Sequence, residues 1–146
     1  MAENPESAAA PSPLVEIIRT AVDAMNRGDL DTYALIFADG ARRWTAGVGE
    51  TGVAESLDEM RGLSVGFSDF HLDTDALIDG GDHVVARWRA RGTHTGEFMG
   101  IPATNIEIDI PVCEIYAFCD GKVTQTWMYA DPLALPKQLG VNIQIG

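Results

Sequence analysis

Three ionisable side chains stand among large apolar neighbours, and they are the first candidates for chemistry. Asp131 closes a run from Lys122 in which Val123, Gln125, Trp127, Tyr129 and Asp131 share one parity. Alternation of this kind puts residues i and i+2 on one face of a strand. A carboxyl on an apolar face is desolvated, and its pKa rises toward the range that suits proton transfer. Its alternative role is turn capping before Pro132. Glu114 sits between Val112 and Tyr116 on the parity of Ile106, Ile108, Ile110 and Phe118. A lone buried carboxylate needs a partner, which Arg42, Arg43 or Arg87 would supply. A structural ion pair is then as good a reading as a catalytic acid, and a register shift at Pro111 would turn Glu114 outward. His94 lies on the parity of Trp88 and Ala90 unless a bulge at Gly92 or Gly96 intervenes. A neutral imidazole there would shuttle a proton or orient a carbonyl; the plainer role is a structural histidine bonded to a backbone carbonyl.

Around these acids and bases the chain offers aromatic rings with polar tips. Tyr33, Trp44, Trp88, Tyr116, Trp127 and Tyr129 are candidates to line a pocket for a small apolar or aromatic substrate. The amide of Gln125 is a candidate donor to a developing oxyanion. Each aromatic taken alone is also an ordinary core residue.

The elements that must position them are legible from periodicity. Ser12-Pro13 is a helix start, with Ser as cap and Pro at the first position. Leu14, Ile17, Ile18, Ala21, Val22 and Met25 follow at helical spacing. Gly28 ends that helix, and Asp29 caps a short second one with Leu30, Tyr33, Ala34 and Phe37 on its buried side. Asp39-Gly40 reads as a turn, Arg42 to Thr45 as a short strand, and Gly47 to Gly52 as a Gly-rich loop. A third helix is expected to begin at a Thr51 cap and to carry Val53, Leu57 and Met60. Four strands then follow as an antiparallel meander, over 70–78, 82–98, 106–118 and 122–131. Asp79 to Asp82 and Asp120-Gly121 form their hairpin turns. In the second of them His83, Arg87, Arg89 and Arg91 oppose the apolar face, as a solvated surface or a sheet-to-sheet dimer contact. Leu133, Leu135 and Leu139 should pack back on the sheet. Helices first and strands afterwards imply an α+β fold, three helices on a strongly curved antiparallel sheet.

Composition bounds the function. The chain has 146 residues, 46% of them hydrophobic, with a net charge of -12. That is one domain, 13–146, behind a loose tail at 1–12. The acidity argues against nucleic acid and against anionic membranes. Neither a signal peptide nor a membrane-length apolar stretch is present, so a cytoplasmic location is expected. Cys113 and Cys119 lie roughly 20 Å apart on one strand, too far for a disulfide. They show no metal-type spacing, and no metal is expected.

The run Trp88-Arg-Ala-Arg-Gly-Thr-His-Thr-Gly-Glu-Phe-Met-Gly-Ile-Pro102, with Asp120-Gly-Lys-Val123, Trp127-x-x-x-Asp131 and Gln138-Leu-Gly140, resembles the SnoaL-like polyketide cyclases of the cone-shaped NTF2-like superfamily. The resemblance spans about Leu14 to Gly140. It implies a cofactor-free cyclase acting by general acid/base chemistry in an apolar pocket, and a homodimer. It assigns the acid/base role to Asp131, assisted by His94. The chain departs from the family pattern at Arg43-Trp44, where many relatives carry a histidine, and in its ending Asp131-Pro-Leu-Ala-Leu-Pro-Lys-Gln-Leu-Gly140. Three readings stay open: ring closure of the aldol type, an epoxide-opening cyclase or hydrolase, and a binding protein without catalysis.

Overall fold

The computed structural model describes residues 12–142. The expected tail therefore lies outside the described residues, apart from Ser12. Helix α1 runs Pro13–Asn26, α2 Leu30–Ala34, α3 Val53–Gly66 and α4 Ala134–Gln138. The strands are β1 Phe37–Thr45, β2 Gly49–Gly52, β3 His71–Asp79, β4 His83–Thr93, β5 Glu107–Cys119 and β6 Lys122–Tyr129. They form one six-stranded sheet in the order β2-β1-β6-β5-β4-β3.

Local signals set most of these elements. The Ser12 hydroxyl accepts from Val15 N at 3.5 Å, and Pro13 opens α1. Asp29 caps α2 by accepting from Thr32 N at 3.0 Å. The buried stripe of α1 is Val15, Ile18, Ala21, Val22 and Met25. It packs with Tyr33 against the inner face of the sheet, on Val84, Ala86, Trp88, Tyr116 and Val123. Ile18 and Val84 are fully buried, and each such side chain contributes about 1.5–3 kcal/mol.

Five expectations are corrected. The sheet is mixed, because β1 lies parallel to β6, from Phe37↔Val123 to Thr45↔Met128. Asp39-Gly40 is no turn between elements. It lies inside a nine-residue β1, where Gly40 takes φ +74° and the register with β6 shifts between Phe37 and Arg42. The Gly-rich stretch contains β2, which pairs back on β1. Thr51 is engaged in that ladder opposite Arg43, so Gly52, not Thr51, caps α3.

The fifth correction bears on the site. The β5–β6 register shifts between Ala117 and Phe118, leaving Thr124 as the extra residue of a bulge. A single inserted residue flips every later side chain to the other face. Val123 points inward and is fully buried, but beyond it Thr126 and Met128 face inward. Gln125, Trp127, Tyr129 and Asp131 lie on the outer side.

Candidate active site

Between α1, α3 and the inner face of the sheet is a cavity of about 200 Å³. Its walls are apolar: Met60 and Leu63 from α3, Leu72 from β3, Trp88 and Ala90 from β4, and Ile110 and Val112 from β5. Leu135 of α4 closes one side. Met25 and Phe70 belong both to this cavity and to a polar surface cleft with Asn26, Arg27 and Ser64, so they form the wall between the two.

Buried charge enters this space at one place, while Glu59 of α3 also lines the cavity but is exposed. Glu114 projects inward from β5 with 4% of its side chain exposed. Its Oε1 accepts from the Tyr116 hydroxyl at 3.0 Å. Its Oε2 faces Arg43 Nη2 at 3.1 Å. Arg43 is itself buried, at 12% side-chain exposure, and the same Nη2 contacts Met128 Sδ at 3.0 Å. The pairing has a simple origin. Arg43, Thr126 and Tyr116 are register partners across β1, β6 and β5, and Glu114 is one inward position away on β5. Of the three arginines that might have served, the parallel β1–β6 pair delivers Arg43.

Electrostatics follow from that geometry. Burial works against the Arg43 charge, but the Glu114 carboxylate beside it more than compensates, and the guanidinium is held protonated well above its usual range. Burial pushes the Tyr33 phenol up from 10.0 to about 12, with the negative Glu114 adding to the rise and Arg43 opposing it. Burial and then Glu114 raise Tyr116 well above its ordinary value. Both phenols are therefore neutral donors at any physiological pH. Their raised values stabilise the fold below pH 10, where both states are protonated, and that stability is lost as pH climbs toward the folded-state value. Thermal unfolding should accordingly shift to lower temperature between pH 10 and about 12. Tyr33→Phe should shallow that dependence; an unchanged slope would remove Tyr33 from the account.

The candidates named from sequence separate into two sets. Glu114, Tyr33, Trp88 and Tyr116 are brought together on the inside. His94 is fully buried but does not line this cavity. It stacks on Phe67 with ring centres 5.1 Å apart. Its Nδ1 takes the Thr104 backbone N–H at 3.3 Å and lies 2.9 Å from Thr104 Oγ1. An Nδ1 that accepts leaves the proton on Nε2. Asp131 is exposed and accepts from Leu133 N at 2.9 Å, an Asx turn before α4. Gln125 donates to the Thr126 carbonyl at 2.9 Å. On the outer face Trp44 packs on Tyr129 at 5.4 Å, and Trp127 stacks on His83 at 6.1 Å. The Thr124 bulge explains why Gln125, Trp127, Tyr129 and Asp131 miss the pocket, and the inward aim of Arg43 explains why Trp44 does. Arg43 and Met128 were not singled out as site residues. The one available signal was the unmatched charge of Glu114, which narrowed its partner to a short list.

Comparison with known proteins agrees with this architecture. The model of the SnoaL-like polyketide cyclases matches residues 15–139, and the chain belongs to that family. Aklanonic acid methyl ester cyclase DauD from Streptomyces sp. (strain C5) is 26% identical over 140 residues, covering 88% of this chain and 83% of the relative. The crystal structure of AclR, a proposed hydroxylase from Streptomyces galilaeus, superposes with a TM-score of 0.80 at 27% identity, covering 87% of this chain and 95% of AclR. IdmH, a proposed polyketide cyclase from Streptomyces antibioticus, gives 0.79 at 26% identity, covering 89% and 100%. The NTF2-like α+β fold is common to them.

Proposed function

We propose that the protein is a cyclase that closes a ring on an aromatic polyketide, with Glu114 as its general acid/base. The observation that carries this is a buried carboxylate, fixed by Arg43 and Tyr116, in a mostly apolar cavity. Glu114 would take the proton next to a ketone. The resulting enolate attacks a second carbonyl in the same molecule, forming one C–C bond. Arg43 steadies the negative charge on the new alkoxide, which takes back the proton from Glu114. No atoms are gained or lost, and the reaction is an isomerisation. Tyr33, Tyr116 and Trp88 shape the site. The ring-closure function is named for DauD, and it comes to this chain by family and geometry together.

A second reading has its own support. Arg43 is a permanent cation touching a base, and that pair also suits opening of an epoxide, where a carboxylate activates a hydroxyl and a cation receives the alkoxide. The test uses both chemistries. A diketone ester of an anthraquinone and a phenol carrying an internal epoxide are each incubated with the protein, and products are read by mass and retention time. Conversion of the first supports aldol closure and of the second epoxide opening. Binding of either without conversion, at any pH from 5 to 9, would sink the catalytic reading and leave a small-molecule binder.

The protein is also proposed to work as a homodimer through the outer face of its sheet. Ile78, Val85, Ile115, Trp127 and Trp44 stand in register as one apolar row from β3 to β1. A two-fold axis near the middle of that row lays it on itself, so a second copy is the partner this face fits. Ile115→Asp places a charge at the centre and should convert dimer to monomer by light scattering. A wild-type protein that is already monomeric at tens of micromolar would end the proposal.

A further inference from the structure

One charged side chain at the cavity takes no part in the pairing of Glu114 with Arg43. Glu59 lines the space from α3, at helical spacing with Ser56, Met60 and Leu63, which line it too. It therefore stands in the inward stripe of the helix, where an apolar residue is the ordinary choice. Every other lining residue is buried or half-buried, and Glu59 alone is exposed. That marks it as the mouth, where water and an entering ligand both reach it. Its carboxylate also acts on the interior. Burial opposes the Arg43 charge, Glu114 outweighs that opposition, and Glu59 adds to the same rise.

The arginines near this charge are already engaged. Side chains three and four positions away on a helix are the ones that meet, and for Glu59 these are Glu55, Ser56, Gly62 and Leu63. Arg61 on the same helix is bound to Asp58 at 2.8 Å, and Arg43 to Glu114 at 3.1 Å. Arg43 and Glu114 cancel, which leaves Glu59 uncompensated at the mouth of an apolar cavity, in a chain of net charge -12.

We propose that Glu59 is a ligand-recognition residue: it receives a hydroxyl or ammonium group at the outer end of an aromatic ligand and turns away a carboxylate there. A charge at the rim of an apolar space acts through a medium less polar than bulk water, so it is felt by a ligand's charge over several ångströms. A hydroxyl or ammonium brought to the mouth gains a charge-assisted hydrogen bond. A carboxylate meets a like charge. Glu114 cannot make this selection, because its own charge is closed in the pair with Arg43. Glu59 thus sorts ligands by their outer group, while Glu114 acts on carbon at the inner end. This role rests on the cavity being the substrate site.

The experiment uses the full-length protein and three naphthalenes of one shape, 2-naphthylmethylammonium, 2-naphthylmethanol and 2-naphthoate, titrated by calorimetry at neutral pH and low salt. In Glu59→Gln the ammonium should bind about three- to tenfold more weakly than to the parent and the carboxylate about three- to tenfold more tightly, with the alcohol changed less than either ion. Glu59 is exposed and glutamine forms helix as readily, so the variant keeps the fold. Glu55→Gln removes the same charge from the same helix at a position that does not line the cavity, and should leave both ions within about twofold of the parent. Alcohol binding with the two ions unmoved in Glu59→Gln would overturn the recognition role and leave the cavity as a ligand site. An equal effect of Glu55→Gln would give the selection to the overall charge of the chain and overturn it as well. Failure of all three probes to bind the parent would overturn the cavity reading, and the role of Glu59 with it.

Discussion

Glu114→Gln is expected to abolish turnover while leaving an apolar ligand able to bind. General acid/base groups contribute roughly 10²- to 10⁴-fold, and the amide can neither take nor return the proton. The loss should fall on kcat more than on KM, because the cavity that holds the ligand is built mostly from other side chains. Asp131→Asn is the matched control. Asp131 is exposed and its oxygen accepts from Leu133 N, a role the Asn carbonyl oxygen keeps. Turnover should survive that change. If Asp131→Asn is the dead variant and Glu114→Gln the live one, the catalytic assignment is reversed.

The same Glu114 substitution should also cost stability, and the two effects can be separated. It leaves the Arg43 guanidinium buried with its counter-charge gone. Removing one partner of a buried pair costs about 3–5 kcal/mol, whereas replacing both by apolar groups is often neutral. The double variant Arg43→Met with Glu114→Leu should therefore recover most of the unfolding free energy and none of the activity. Recovery of activity would show that Glu114 is structural. A double variant no more stable than the single one would show that the pair matters to the fold for some other reason.

How much of this was legible beforehand depended on whether the signal was local. Pro13 behind Ser12, the Asp29 cap and the Asp120-Gly121 hairpin turn are decided within a few residues, and each sits where it was expected. Strict alternation in β4 and β5 put Trp88, Glu114 and Tyr116 on the inside correctly. The same logic failed in β6, because one bulge residue, Thr124, has no mark in the sequence that sets it apart from any strand threonine. The parallel joining of β1 to β6 was equally invisible. It is a contact between segments about 85 residues apart, and strand pairing of that range is chosen by the whole sheet. Yet that pairing brings Arg43 to Glu114. The residue types of the site could be read, but the pairing of acid with base could not.

A methyl group added at Gly96 should be the most damaging small change away from the cavity. A Cβ there would lie 2.2 Å from the Val65 carbonyl oxygen, and its neighbours are backbone atoms that cannot rotate aside. The close approach has a purpose. Thr95 N and Gly96 N both donate to Gly66 O at 3.0 Å, which ties the loop after β4 to the end of α3. Phe98 then covers Gly66, whose own added Cβ would sit 2.7 Å from Phe98 Cβ. Phe98 packs edge-on against Phe67 at 5.6 Å, in a cluster with Leu63, Phe70, Ile108 and Leu135, and these four also line the cavity. Gly96→Ala must move the loop, and with it one wall of the site. Overpacking of this severity costs about 3 kcal/mol, which lowers the unfolding midpoint by roughly 10 °C in a domain of this size. Gly62→Ala is the contrast. Gly62 lies inside α3 with nothing within 4 Å of its added Cβ, so alanine there should raise stability by up to about 1 kcal/mol through helix propensity. Scanning calorimetry on the two variants reads both signs. A Gly96→Ala protein as stable as the parent would mean that the loop does not rest on α3, and that the cavity wall is made without it.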